Sequence, residues 1–368
     1  MPLDLHVLYE YGSDYRPHSS SVLRLLRPLT HPAAGAPAVT FDSDLPDRRP
    51  DAVLVDRLWR PDITLAHAER LLERVRAQGA RFLYAIDDNL LDLRRERGDW
   101  PTPEHEAVVA LWLRAAAGVL VTTPALADRF AAFNPNIVVV PNALDERLLV
   151  TRVPPGPETP FGARPVVIGY MGTPTHGGDL ALILPALREV CARYRGRVAL
   201  ELIGVADDAL LGRALDGVPV RRPRPKGPER EYGLFLLWLL GTARWDIAVS
   251  PLAPTPFNRG KSDVKFLDYA ALAAAPVVSR HPAYEERVRH GENGWLVDDD
   301  PQAWTSALAT LIEDTEGRQA LARRASAYLY RERTLARRAP DLPAALARLL
   351  EPTAAPDTPE RSRPPGRG

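Results

Sequence analysis

Residues able to do chemistry are densest in Pro256-Phe257-Asn258-Arg259-Gly260-Lys261-Ser262-Asp263-Val264-Lys265-Phe266-Leu267-Asp268-Tyr269, where a loop after an apolar run opens a helical pattern. Ser262 reads as the N-cap of that helix. A capping box would place Glu or Gln at position 265, yet Lys265 stands there and Lys261 flanks the cap, so two cations crowd the positive end of a helix. Each costs about 0.3–1 kcal/mol in that place unless an anion is bound. A phosphate reverses the sign, because helix amides and both ammonium groups converge on it. Of the 47 basic residues only Lys226, Lys261 and Lys265 are lysines, so two of the three fall in this motif. Lys261, Lys265 and Asp268 share one stripe of the expected helix at i, i+4 and i+7. The alternative is an ordinary solvated ion pair between Lys265 and Asp268.

A second run, Ile168-Gly169-Tyr170-Met171-Gly172-Thr173-Pro174-Thr175-His176-Gly177-Gly178-Asp179, passes from an apolar strand pattern into a glycine-rich turn and then a helix. Glycines there let the backbone approach a ligand and leave helix amides free for an anion, with Gly172, Thr173 and Thr175 as candidate contacts. The spacing is not that of the dinucleotide fingerprint. His176 is a candidate catalyst, or a surface or cap histidine. Nearer the amino terminus, Asp87-Asp88-Asn89 follow another strand pattern. Two buried like charges would raise one pKa and make a base, or hold a metal; the competing reading is an Asx cap. Tyr11, Gly12 and His18, after the first strand, and Arg57, after Asp56, are candidate contacts to a second substrate, although helix capping explains Ser19 to Ser21 equally well.

The elements that must position these residues alternate between short apolar or β-branched runs and longer runs of helical period, the mark of βα units and parallel sheets. The alternation occurs twice. Strands are expected at residues 5–9, 38–41, 52–55, 81–86, 118–122 and 137–140, then at 166–171, 198–203, 218–221, 247–250, 276–279 and 295–297. The expected architecture is α/β, two doubly wound Rossmann-like domains facing across a cleft. Residues 1–150 form the first domain, a Pro-rich linker fills 151–165, and residues 166–350 form the second with C-terminal helices. Residues 351–368, rich in Pro and Arg without a hydrophobic period, read as a disordered tail.

Composition narrows the function. Lys+Arg and Asp+Glu both number 47, so no global field draws the chain to nucleic acid or an anionic bilayer, and membrane contact is at most peripheral. One cysteine, Cys191, forbids an intrachain disulfide and a multi-cysteine zinc site. The start, Met1-Pro2-Leu3-Asp4, lacks a signal-peptide pattern, and the longest apolar run, Leu234 to Leu240, is far short of the roughly 20 residues of a membrane span. The expected location is cytoplasmic.

The 257–269 motif, followed by Ala275-Pro276-Val277-Val278-Ser279 and Gly291-Glu292-Asn293-Gly294-Trp295-Leu296-Val297, resembles the carboxy-terminal donor domain of family 4 glycosyltransferases of the GT-B fold. The resemblance extends to residues 168–179 and, more weakly, to Asp87-Asp88 and Val140-Pro141-Asn142-Ala143. It implies a retaining transferase that takes a sugar from a nucleotide diphosphate donor as co-substrate, with no cofactor and no metal. Its donor site would comprise Gly172, Thr173, Thr175, Lys261, Ser262, Lys265 and Asp268, with Tyr11, Gly12, His18 and Arg57 toward a glycan, lipid or small-molecule acceptor, and Asp87, Asp88 and His176 as catalytic candidates. In that family an acidic pair closes the donor helix; Asp268 matches the later acid, which holds the ribose, whereas Gly260 stands where the earlier one belongs. The family also commonly carries a His at the position of Asp87. With those two residues lost, the alternative is an inactive nucleotide-sugar binding or regulatory protein of the same fold.

Overall fold

The computed structural model describes residues 3–149, 164–173, 177–204, 211, 215–227 and 231–351. Apart from residues 164, 165 and 351, the expected linker and tail lie outside the described residues, as do Thr175 and His176.

Twelve parallel strands form two six-stranded sheets. In the first, β1 (Asp4–Leu8), β2 (Ala38–Asp42), β3 (Ala52–Asp56), β4 (Arg81–Ala85), β5 (Gly118–Val121) and β6 (Ile137–Val139) lie in the order β2-β1-β3-β4-β5-β6. In the second, β7 (Val166–Met171), β8 (Val198–Ile203), β9 (Val220–Arg221), β10 (Ile247–Ser250), β11 (Ala275–Ser279) and β12 (Trp295–Val297) lie in the order β12-β11-β10-β7-β8-β9. Their strands are apolar on both faces because helices cover both. Val53, Val55, Phe82, Tyr84, Val119 and Val121 point to one core, while Ala52, Leu54, Leu83, Ala85 and Leu120 point to the other. That period of two is what the sequence pattern encodes.

Two helices tie the halves together. The chain from Ser19 to Thr30 is one continuous helix with a π-helical turn at Val22–Leu26; it buries Leu25 and Leu29 on the first sheet and Leu23 in the second domain's core. The last helix, Asp341–Leu350, places Leu342, Ala345, Leu346 and Leu349 at i, i+3, i+4 and i+7 against Leu5, Val7, Leu120 and Val138. The C-terminal helices expected on the second domain are therefore divided, the final one completing the first domain. Burying a leucine contributes about 1.5–3 kcal/mol, so this return of the chain holds the two sheets in one unit.

Gly169 has a packing role within its strand. It sits inside β7, where the Trp245 indole crosses its backbone and donates to Glu201 Oε1 at 2.9 Å; a Cβ there would fall 1.8 Å from the ring. The glycine serves packing, not ligand approach. Gly169→Ala should destabilise the protein by about 1–3 kcal/mol by overpacking, read as a lower urea midpoint at unchanged m-value.

Candidate functional site

In open parallel sheets the ligand crevice forms beyond the carboxyl ends of the strands where strand order reverses. The reversal falls between β1 and β3 in the first sheet and between β7 and β10 in the second. The segments leaving those four strands carry Glu10 and His18, Arg57, Gly172 and Thr173, and the Pro256–Ser262 loop. Residues 256–263 form the seam between the domains. Lys261 Nζ donates to Asp88 Oδ1 at 2.8 Å, the Phe257 amide to Glu96 Oε1 at 3.0 Å, Asn142 Nδ2 to Ser262 Oγ at 2.8 Å and Thr123 Oγ1 to the Gly260 carbonyl at 3.2 Å. Beside this seam a cavity of about 320 Å³ opens between Asn89, Asp92, Arg129, Thr255, Pro256 and Arg259.

The first domain's side of the crevice is an ion network. Arg57 Nε donates to Glu10 Oε2 at 2.7 Å, and its Nη1 to Asp87 Oδ1 at 2.6 Å and Asp88 Oδ2 at 3.0 Å. Arg24 Nη1 pairs with Asp56 at 3.3 Å and Asp87 at 3.1 Å, and Ser21 Oγ donates to Asp56 Oδ2 at 2.5 Å. Burial, opposed by Arg24, pushes Asp56 up to about 6. Burial also acts on Asp88, but the Lys261 and Arg57 charges outweigh it and hold that carboxyl well below the usual range. The expectation of a raised pKa is not met at Asp88, whose carboxylate is paired with Lys261 and Arg57. Arg57, expected to meet an acceptor, is spent on three carboxylates. Tyr11 is only 6% exposed and supports the loop from beneath. His18 keeps an accessible ring, its side chain 49% exposed; its Nδ1 lies 3.1 Å from Glu10 Oε2, and that bond raises its pKa. Gly12 lies in the turn between Tyr11 and His18, half-buried.

On the second domain's side the donor-type helix runs Val264–Ala271, with Asp263 at the N-cap and no side-chain cap bond. Ser262 is not the cap, and Lys261 precedes the helix, so the expected three-residue stripe reduces to Lys265 and Asp268. Asp263 is instead gripped by Arg333, whose Nη1 and Nη2 lie 2.6 and 3.0 Å from its oxygens and which also donates to the Asn142 carbonyl. The Lys261 ammonium stands 4.3 Å from the Phe257 ring centroid. The Lys265 ammonium is buried, 5.2 Å from the Tyr170 ring, with no hydrogen-bond partner among the described residues. Burial, resisted by Asp179 and reinforced by Lys261, pushes Lys265 down to about 8. Asp268 is buried and accepts the Tyr232 hydroxyl at 2.7 Å; burial, against that bond and Lys265, pushes it up to about 7. Asp179 Oδ1 accepts from the Ala253 amide at 2.9 Å and Asn258 Nδ2 at 2.8 Å, pinning the loop after β10 to the turn after β7. Gly172 is half-buried and Thr173 exposed at the end of β7.

Gly260 explains the missing acid. A Cβ there would fall 2.8 Å from Leu126 Cδ2 of the first domain, so the position is used for close approach of the domains. Among the described residues, His31, Asp145 and Glu146 are grouped closely enough to hold a cation, but Arg27 and Arg147 already bond Asp145, at 2.9 and 2.8 Å.

Sequence reading missed Glu10, Arg24, Tyr232 and Arg333, and gave no role to Asp56, Asp179 or Asn258. Glu10 and Asp56 carry a signal of sorts, being acids at strand ends, but only strand order marks those ends as the reversal point.

The chain has the GT-B fold of glycosyltransferases. It superposes on HepE of Anabaena in complex with UDP-glucose with a TM-score of 0.64 at 15% identity, covering 94% of this chain and 99% of that one. WaaG, a glycosyltransferase involved in lipopolysaccharide biosynthesis, gives 0.60 at 11% identity over 92% and 98% of the two chains. A UDP-forming trehalose-phosphate synthase from Burkholderia xenovorans gives 0.57 at 15% identity over 83% and 75%. In sequence, residues 241–314 match the family model Glycosyl transferases group 1, a span that contains both site lysines and Asp268. No curated protein is significantly similar to the chain in sequence.

The Asp268 carboxyl yields a stability test. Because its folded-state pKa is raised from 3.8 to about 7, its contribution to stability is complete below about pH 4 and is lost as pH rises through about 7. Asp268→Asn cannot ionise and keeps an oxygen for the Tyr232 hydroxyl. Relative to the parent, its unfolding free energy from urea titrations should gain on the order of 2–4 kcal/mol between about pH 4 and pH 8.

Proposed function

We propose that the chain is a glycosyltransferase that binds a nucleotide diphosphate sugar in the second domain and transfers the sugar to an acceptor on the first. The observation that carries this reading is the pair Lys261 and Lys265 at the crevice-facing start of the 264–271 helix, one ammonium buried without a hydrogen-bond partner among the described residues. Breaking a glycosyl-phosphate bond puts charge on the departing diphosphate, and fixed cations with helix amides in a water-poor site stabilise that charge. Lys261 would share its proton donors between Asp88 and a phosphate oxygen, and Asp88 is not orphaned by this because Arg57 still holds it at 3.0 Å. Two fixed ammonium groups supply the neutralisation that a metal ion would otherwise give. Asp268 would accept the ribose hydroxyls, and His18, oriented by Glu10, would meet the acceptor hydroxyl. In this proposal attack occurs on the face the diphosphate leaves, the departing phosphate oxygen taking the acceptor's proton, so configuration is retained. The family match and the fold support the reading, and the UDP and UDP-glucose bound to HepE make uridine nucleotides the first donors to test.

Release of nucleoside diphosphate from a panel of nucleotide sugars, preceded by thermal-shift screening, separates a transferase from a binding protein. Saturable stabilisation without turnover for every donor and acceptor would favour the inactive alternative. Lys261→Gln and Lys265→Gln should each weaken binding of the matching nucleoside diphosphate by about 1.5–3 kcal/mol, roughly 10- to 100-fold in Kd. Affinity should fall as pH rises above about 8, where Lys265 loses its proton, with proton uptake on binding in calorimetry; Lys265→Gln should abolish that dependence.

A further inference from the structure

The loops that follow β1 and β3 carry a feature that donor binding does not use. Among the described residues five non-glycine positions have positive φ, and three of them lie here: Tyr15 (58°), Arg57 (47°) and Trp59 (60°). Such backbone costs on the order of 1–3 kcal/mol each and persists where surrounding structure enforces it, most often at ligand sites. The enforcement is visible. Tyr11 and Pro17 form an antiparallel bridge, the Tyr15 amide donates to the Gly12 carbonyl at 3.0 Å, the Tyr11 amide to the Trp59 carbonyl at 3.0 Å, and the His18 amide to the Glu10 carbonyl at 2.7 Å. The outcome is an aromatic ring held out from the surface. Tyr15 is 66% exposed, the most exposed large hydrophobic side chain among the described residues, and it stacks on buried Tyr11 with centroids 5.2 Å apart and planes 17° from parallel. One ring face is thus backed and immobilised and the other is open.

We infer that Tyr15 is a stacking platform for a sugar ring of the acceptor, so that the acceptor is itself a glycoside; this rests on the transferase reading above. A pyranose presents a face of C–H groups to an aromatic ring and a rim of hydroxyls to its surroundings. The ring of Tyr15 is flanked in its loop by Ser13, Asp14 and Arg16, all exposed, and by His18. These loop neighbours suit the hydroxyl rim of a sugar better than an alkyl chain. The loop that carries Tyr15 also carries His18, which is linked through Glu10 and Arg57 to Asp88 and so to Lys261 of the proposed donor site.

The test uses Tyr15→Ala and Tyr15→Phe in the full chain, with methyl glycosides, glycerol and free nucleosides as probes. With a donor that turns over, Tyr15→Ala should raise KM for methyl glycosides at least tenfold with little change in kcat, leave glycerol as an acceptor and nucleoside diphosphate affinity unaltered, and Tyr15→Phe should restore the parent value. Equal KM in parent and Ala variant, an equal loss with glycerol, or a loss specific to nucleoside binding overturns the platform while the transferase reading stands. If no nucleotide sugar turns over, the transferase reading fails, and saturation-transfer NMR of methyl glycosides still decides the platform: signals in the parent that vanish in Tyr15→Ala support it, and signals that are absent from both or survive in both overturn it.

Discussion

The salt bridge between Lys261 and Asp88 is the contact on which the rest of the crevice depends, because it is where the second domain's scarce lysine meets the first domain's carboxylate network. Glu10, Asp56, Asp87 and Asp88 could not be packed together without compensation, since desolvation and mutual repulsion would protonate them. Arg24 and Arg57 supply two of the compensating charges from within the domain, and the third crosses the gap. The first domain is therefore electrostatically completed by the second. Removing one partner of such a buried set leaves a charge uncompensated, which costs more than the pair contributes when intact.

That constraint accounts for the sequence of the seam. Residues that cross the gap must approach closely, and Gly260 does so by having no side chain to strike Leu126, with its carbonyl accepting the Thr123 hydroxyl. A side chain at this position would press on the Leu126 methyl at the domain contact. Gly260, where the resembling family carries an acid, is thus tied to how the domains meet, and in the proposed reaction the donor sugar would be contacted by another residue. Asp263 is likewise withdrawn from capping duty, since Arg333 holds both of its oxygens and fastens the start of the 264–271 helix to the chain leaving β6.

How far the sequence carries follows from what is local. The strands among the described residues lie where period and β-branching place them, and the central ones are unbroken apolar runs because both faces of the sheet are covered there. The Leu90–Arg97 helix is poorly marked in the sequence; five of its eight residues are charged, and only a few apolar positions mark its buried face. Lys261 and Lys265 stand out in the sequence by rarity; the structure sets Lys261 against Asp88 and buries Lys265. The ion pairs of Arg57 with Asp87 and Asp88 are not legible, because sequence order does not reveal that β3 and β4 are neighbours and that one guanidinium spans the residues after both. Arg24 was hidden for the same reason: a charge within an apolar helical stripe has meaning only once Asp56 is known to face it.

The 264–271 helix holds a further balance. Lys265 and Asp268 lie one turn apart, both buried, the cation pushed down to about 8 and the carboxyl up to about 7, so each is close to losing its charge near neutral pH. In the proposed complex a diphosphate would draw Lys265 toward its charged form while repelling a charged Asp268. Inorganic pyrophosphate offers nothing to offset that repulsion. A nucleoside diphosphate does, because ribose hydroxyls donate to the carboxylate and favour its ionised form. The helix would then discriminate for nucleotides over bare phosphates through the coupling of its two titrating groups, in addition to any pocket for the base.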